Sequence, residues 1–461
     1  MNWARRIPPS FRRPRALLIL ICSIASLLYL LNPLSGLGKR RYDIWREDPY
    51  IQLLDDSTRQ SKDAVPSEAR CKGFPPSVFD KIQVVVKIGA PEARTKLTRQ
   101  LATNTACVKD LLIFSDFEEE VQGYHIYDAL ANLKESEWVD NPDYDVYKQN
   151  KAAKDNGESL SRSSEGWKLD KYKFLPMMDM TWEMRSQKDW FVFIEADSYV
   201  FWDNLFRWLG HLDPEKALYM GSPIWRVTPP EPTFAHGGSG IVVSRAGLKK
   251  LVRPRDYNCD VAGCTQYGFD FRDKCCGDAV LSDVFDARGI SLKGYWPMIN
   301  GEKPATVRYG KDEQWCEPII IMHHVNETDQ MELTDWEIRR PSSNPVMFED
   351  LWNWLEHLIP PYRTDWSVLA EGDVLKAEDG QAAAASPQAC ELGCLEKKWC
   401  YQWQHMKGVC EHSPWIRVGR EQLPDMDGNT CVSGTIMKRV ANFKKRMGHC
   451  EDAHWVRANP G

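Results

Sequence analysis

Apolar and polar positions alternate between two regimes along this chain, short β-branched runs and longer mixed stretches, and that alternation predicts a parallel α/β sheet. Ile82-Gln83-Val84-Val85-Val86-Lys87-Ile88 is short enough for a buried strand and is closed by Gly89-Ala90-Pro91. Glu92 to Thr103 is compatible with a helix, and Leu111-Leu112-Ile113-Phe114 is a second strand ending at Ser115-Asp116. Strand, helix, strand opens a parallel sheet, and ligands of such sheets bind beyond the carboxyl ends of the strands. Gly89 and Asp116 are therefore candidate site residues, with a plain turn the other reading for Gly89. Residues 140–166 are polar and rich in Ser, Asn and Gly, which predicts an insertion or loop. Trp167 to Met184 reads as a helix bearing Lys168, Lys171 and Lys173.

The most informative segment is Asp189 to Val200, an apolar strand that runs straight into Glu195-Ala196-Asp197. Side chains at i and i+2 share a face, so the two carboxylates converge at the strand end. Hard cations such as Mn²⁺ and Mg²⁺ prefer oxygen ligands, and an acid pair of this kind can hold one beside phosphates. Water-facing acids without a ligand are the plainer reading of such a pair.

Composition changes the picture at the ends. Nineteen Trp, 16 Tyr and 16 Phe in 461 residues are too much aromatic surface for a disordered tether, and the length calls for at least two folded units. A net charge of −6 gives no global basic field, which excludes a general nucleic-acid binder. The first 15 residues hold five Arg and no acid, and Ala16 to Gly38 follows without a charge. At about 1.5 Å per helical residue such a run crosses a hydrocarbon core of roughly 30 Å. Residues 1–15 are accordingly expected as a cytosolic tail, 16–38 as a transmembrane signal-anchor with the remainder lumenal, and 39–78 as a stem. A cleaved secretory signal is the competing reading.

Of the 14 Cys, Cys22 alone lies in the expected span, and the 13 that follow suggest disulfides in an oxidising compartment with one thiol left over. Zinc is the alternative, but paired CxxC units are missing. Asn326-Glu327-Thr328 is an N-glycosylation sequon.

The strand, acid-x-acid, Ser-Tyr-Val and Asn-Leu pattern of Trp190 to Leu205 continues through Tyr219-Met220-Gly221 and Phe234-Ala235-His236-Gly237-Gly238-Ser239-Gly240-Ile241-Val242-Val243-Ser244. It then extends through Cys276-Gly277-Asp278-Ala279-Val280-Leu281 to Ile321-Met322-His323-His324-Val325. In that order the motifs resemble glycosyltransferase family 31, closest in pattern to core 1 β1,3-galactosyltransferases and Fringe-type enzymes, as a fungal-type member. The resemblance implies a GT-A fold over residues 79–365, Rossmann-like and α/β, in a type II Golgi membrane protein. It implies a UDP-sugar donor, most readily UDP-galactose, a glycan or glycoprotein acceptor and a β1,3 linkage. It also implies a Mn²⁺ or Mg²⁺ cofactor, and it leaves room for a homodimer.

Position by position, Asp197 matches the metal-ligating acid of the family. Glu195 stands where Asp is usual, and its extra methylene favours a water-mediated contact. His323 matches the distal His ligand, whereas a regular strand would point His324 to the opposite face. Asp278 matches the general base; helix N-cap is its plainer role. Gly237 and Gly238 suit a floor beneath a sugar or diphosphate, and Lys171, from a Trp-Lys-x-x-Lys stretch, would meet the diphosphate unless it lies on a solvated helix face. After an amphipathic Phe348 to Ile359 and an alanine linker, Cys390, Cys394, Cys400, Cys410 and Cys431 make residues 386–440 resemble a PAN/apple-type module, with 441–461 a tail. A relative of the family that lost its acid motif and assists a transferase supplies the second functional reading, an inactive lumenal binding or chaperone-like protein.

Overall fold

A computed structural model describes residues 42–43, 76–133, 138–158, 166–225, 233–253, 270–311, 314–340 and 344–460. Two units are distinguished, 1–43 and 44–461. In the first, only the two-residue strand Tyr42–Asp43 is described. The expected span, most of the stem, Cys259 and Cys264 lie outside the described residues. Among the described residues no helix is long and apolar enough to cross a membrane.

The second unit is mixed α/β. Its first half runs β1 (Ile82–Lys87), α1 (Thr98–Ala102), β2 (Leu111–Ser115), β3 (Glu119–Val121), β4 (Tyr124–Asp128), α2 (Asp143–Asp155), α3 (Asp170–Arg185), β5 (Trp190–Glu195) and β6 (Tyr199–Val200). It continues with α4 (Trp202–Gly210), β7 (Tyr219–Gly221), β8 (Ile241–Ser244), α5 (Arg245–Leu251), α6 (Gly277–Ala287), β9 (Leu292–Gly294), β10 (Ile321–Met322), α7 (Glu327–Arg339) and α8 (Phe348–Leu355). The second half holds β11 (Tyr362–Thr364), β12 (Val374–Lys376), α9 (Pro387–Glu396), β13 (Gln402–Met406), β14 (Val409–Ser413), β15 (Val432–Thr435), α10 (Met437–Met447) and β16 (Asn459–Pro460).

A nine-stranded sheet in the order β16-β9-β7-β8-β5-β1-β2-β4-β3 forms the body. The contiguous run β5-β1-β2-β4 is parallel, as the strand-helix-strand pattern predicts. Every residue of β1 is buried, which is why Val84-Val85-Val86 at its centre are consecutive apolar residues instead of an alternating pattern. Helices α3 and α6 cover one face, and the body core collects Phe174, Met178, Phe191, Phe193, Tyr219, Val280 and Phe285. The two helices approach so closely that a Cβ on Gly277 would lie 2.3 Å from a ring carbon of Phe174.

Three expectations are corrected. Residues 143–155 are not loop but helix α2, because Tyr144, Val146 and Tyr147 form an apolar face that packs into the core beneath the polar majority. The alanine stretch is not a linker: it is a 3₁₀ turn at Ala382–Ala385 with Ala384 buried against Cys390, Cys394 and Trp403. Residues 441–461 are not a free tail. Val440 and Phe443 of α10 enter a second core with Trp315 and Trp352, Cys450 is disulfide-bonded to Cys316, and β16 adds an edge strand beside β9.

The C-terminal module begins earlier than its cysteines suggest. Its antiparallel sheet, β11-β15-β13-β14-β12, draws β11 and β12 from residues 362–376. Helix α9 packs on this sheet, stapled by Cys390–Cys410 and Cys394–Cys400. Cys431 is a buried free thiol among the described residues, which fits the odd cysteine count.

Candidate active site

Parallel pairing places Lys87 directly beside Glu195, the last residues of β1 and β5, so the register itself makes an ion pair. Lys87 Nζ lies 3.0 Å from Glu195 Oε1 and 2.5 Å from Asp170 Oδ1. Lys173 Nζ extends the chain of charges, 3.4 Å from both Asp170 and Asp116. Burial disfavours charge on Lys87, but the two carboxylates outweigh it and raise its pKa. Burial likewise works against ionised Glu195, yet Lys87 and His323 hold its carboxyl well below the usual range. Asp116 accepts from the Ala90 amide at 3.1 Å, which ties the Gly89 turn to the end of β2. Gly89 and Asp116 thus sit at the carboxyl ends of adjacent strands, where the sequence puts them.

Beyond Glu195 the chain turns sharply. The Ser198 amide donates to Glu195 O at 3.0 Å, and the Ser198 hydroxyl donates to Gly238 O at 2.8 Å. The Val325 amide donates to Asp197 O at 2.9 Å, and β6 pairs antiparallel with β10, so the residues after β10 fold back over the acid turn. His323 Nε2 consequently lies 3.2 Å from Asp197 Oδ1 and 3.8 Å from Glu195 Oε2. Neither ring nitrogen of this buried imidazole has hydrogen-bond geometry to a partner. Burial opposes its protonation, and the two carboxylates overcome that, raising its pKa to about 9.

His324 corrects the strand argument. β10 ends at Met322, His324 has φ of 56°, and its ring centroid lies 3.9 Å from that of His323, the planes tilted by 32°. The turn brings both imidazoles to one side, and ligand atoms of Asp197, His323 and His324 lie within 4.8 Å of one another. Cys390, Cys410 and His412 also cluster, but those sulfurs are spent in a disulfide.

The Gly237-Gly238 turn joins this cluster to Asp278. The Gly237 amide donates to Asp278 Oδ2 at 3.0 Å, while a Cβ on Gly238 would lie 2.1 Å from a carbon of the His323 ring. Only glycine admits the imidazole there. Asp278 is not the N-cap of α6: Cys276 holds that position. Its Oδ1 accepts from the Ala279 amide at 2.9 Å, so it supports the first turn from inside the helix. Burial raises its pKa, opposed by the Gly237 amide and His236. Two backbone bonds leave lone pairs on the carboxylate.

Lys171 is turned elsewhere. Its ammonium lies 2.8 Å from Asp143 and donates to Arg272 O at 2.7 Å, anchoring the loop before α6. Lys96 takes the place beside Asp197, 3.2 Å from Oδ2. Sequence reasoning missed Lys96, Lys87, Asp170 and His236; a lysine closing an otherwise apolar strand was the available signal for Lys87. His236 bonds Ser239 at 2.6 Å, and its ring centroid is 5.3 Å from that of His323. Burial and the charge on His323 lower its pKa. Asn326 is exposed and caps α7, accepting from the amides of Thr328 and Asp329 at 2.9 Å.

An acid turn, a histidine pair and a carboxylate of raised pKa meeting at one glycine turn narrow the comparison with known proteins. Residues 131–270 match the Fringe-like family model. The Fringe-like stretch carries β5, the acid turn and Gly237-Gly238, and it supports a glycosyltransferase of the family 31 type. Asp278 and His323 lie C-terminal to it, joined to it by the contacts above. No curated protein matches the chain.

Proposed function

We propose that this protein is a metal-dependent, inverting hexosyltransferase of GT-A architecture that moves a sugar, galactose foremost, from a UDP donor to a glycan or glycoprotein in β1,3 linkage. The observation that carries the reading is the Gly237-Gly238 turn, whose consecutive residues touch the carboxylate of Asp278 and the ring of His323. Asp197, His323 and His324 offer one carboxylate oxygen and imidazole nitrogens, a set that suits Mn²⁺ better than all-oxygen Mg²⁺. Buried His323 makes no hydrogen bond of good geometry and has only its ion pairs to Asp197 and Glu195, which fits a ligand role. A cation held there would neutralise charge growing on the departing diphosphate. Glu195, clamped by Lys87, is better placed to accept hydroxyl or water hydrogens than to ligate directly.

Asp278 takes the proton from the acceptor hydroxyl as that oxygen attacks the anomeric carbon. Its raised pKa suits this work, because a base is most effective with a pKa near the operating pH. The disulfides suit a lumenal site, in keeping with the membrane orientation expected from the N-terminus and the Golgi location that the family resemblance implies.

One observation favours the inactive, binding-only reading: lysines neutralise both acids of the motif. Lys87 is buried, but the side chain of Lys96 is a third exposed and free to swing away from Asp197. Asp278→Asn separates the two. Turnover with saturating UDP-sugar should fall by roughly 10² to 10⁴. Since both carboxylate oxygens accept amides, Asn leaves one poorly matched at a cost of about 1–3 kcal/mol, so melting temperature and UDP affinity are measured alongside. Wild-type turnover in a folded variant would dismiss Asp278 as the base.

A further inference from the structure

Beside the site, the chain from Trp296 to Arg308 carries polar groups that the proposed chemistry does not use. A Cβ on Gly301 would lie 3.0 Å from Ser239 Oγ and 3.4 Å from His236 Nδ1, so this segment is in contact with the glycine turn. One residue on, Glu302 has an Oε2 without a hydrogen-bond partner, and buried Asn300 has an Nδ2 in the same condition. An unmatched acceptor and an unmatched donor stand two residues apart. Burial raises the pKa of Glu302, against Arg308 and Arg417.

The C-terminal module completes this place. Tyr309 and Ile416 exchange both backbone hydrogen bonds, at 3.0 and 2.7 Å, which fixes Arg308 beside Trp415 of the module. The Arg308 guanidinium sits 6.0 Å from the Trp296 ring centroid and 5.8 Å from that of Trp415, and its Nε is 3.3 Å from Glu302. One third of the Arg308 side chain is exposed, and both indoles are partly exposed.

We propose that Trp296, Trp415, Arg308 and Glu302 form the acceptor-side subsite for a neutral pyranose, built jointly by the catalytic body and the C-terminal module. The inference rests on the transferase reading and names where its acceptor lies. An indole presents a flat apolar face to the C–H face of a sugar ring, and a guanidinium beside a carboxylate supplies donors and acceptors for adjacent hydroxyls. Glu302 and Glu371 flank Arg308 at 3.3 and 3.6 Å, and Arg417 lies 3.0 Å from Glu371, so the two carboxylates are already matched by two guanidinium groups, a balance that suits a neutral sugar. Contact of Gly301 with His236 and Ser239 links the subsite to the glycine turn whose Gly237 amide holds Asp278, the base the sugar hydroxyl requires.

The test uses the full chain in detergent micelles with the methyl glycosides of galactose, N-acetylgalactosamine, N-acetylglucosamine, glucose and mannose as probes, without donor or metal, and measures UDP affinity in a separate titration with Mn²⁺ present. Saturation-transfer NMR should detect at least one of them. Trp415→Ala should weaken that binding about tenfold, Trp415→Phe much less, and neither should change UDP affinity. Should Trp415→Ala fail to fold, Arg308→Gln must show the same loss. Wild-type protein that binds UDP but no glycoside overturns the subsite and spares the transferase reading, as does undiminished glycoside binding by a folded Trp415→Ala. Glycoside binding that depends on Trp415 in a chain that does not bind UDP supports the subsite and overturns the transferase reading.

Discussion

The two halves of the second unit hold their polar groups in opposite ways. At the carboxyl ends of β1, β2 and β5, charges are kept by charges: Lys87, Lys96 and Lys173 each bridge two carboxylates, and the His323 ring is left without a hydrogen bond. In the C-terminal module the core is covalent, with two disulfides and Trp403 beneath α9, and Gln402 satisfied on both faces by Arg417 and Thr435. A region poised to exchange partners for a ligand holds its polar groups by buried electrostatics, whereas the module presents its surface from a core that is stapled.

That contrast can be broken most severely at Asp197. Asp197→Ala removes the carboxylate beside the histidine pair, and on the proposed reading turnover should fall by roughly 10³, the worth of several kcal/mol of charge stabilisation. Its melting temperature should stay near wild type, because the turn is held by backbone bonds to Val325 and Ser198. Steady-state kinetics beside a thermal scan checks both; a large drop in melting temperature would make the acid turn structural.

A double Cys390→Ser, Cys410→Ser variant probes the other side. Losing this staple should cost about 2–5 kcal/mol of module stability, read by denaturant unfolding. UDP release in the absence of acceptor should change less than about twofold, since the acid turn, the histidine pair and Gly237-Gly238 all lie in the body; a collapse of that activity would show that the halves are not separable in this way.

The smallest effect is a pH dependence in α7. Tyr199 donates to half-buried Glu337 at 2.7 Å, and burial raises the pKa of Glu337 to about 7 from an ordinary 4.5. Because the folded state binds this proton more tightly, the stabilisation is complete below 4.5 and is lost as pH rises through about 7. Glu337→Gln should therefore flatten the stability profile in that window and be more stable than wild type above it, by roughly 1–2 kcal/mol after solvent screening. Parallel profiles for the two proteins would remove Glu337 from the account.

What the sequence disclosed followed physical range. Strands β1, β2 and β5 were legible because burial on both faces demands continuous apolar runs, and Glu195 and Asp197 because the run stops at them. Helix α2 was hidden, since Tyr144, Val146 and Tyr147 are a minority in a polar stretch and only packing shows their common face. The place of His324 depended on one backbone reversal, and the lysine bridges depended on register between strands about 100 residues apart. The module's junction with the body was equally out of reach, because Tyr309 and Ile416 meet through backbone atoms that carry no side-chain signal.

The central claim is that the acid turn and the histidine pair hold a cation for transfer from a UDP-sugar. UDP release by the full chain from UDP-Gal, UDP-GlcNAc, UDP-GalNAc and UDP-Glc, measured with Mn²⁺, with EDTA, and with Mn²⁺ restored, tests it most directly. The account predicts release from at least one donor, abolished by chelation and recovered with Mn²⁺. Release that survives EDTA, or none from any of the four donors with Mn²⁺ present, would contradict it.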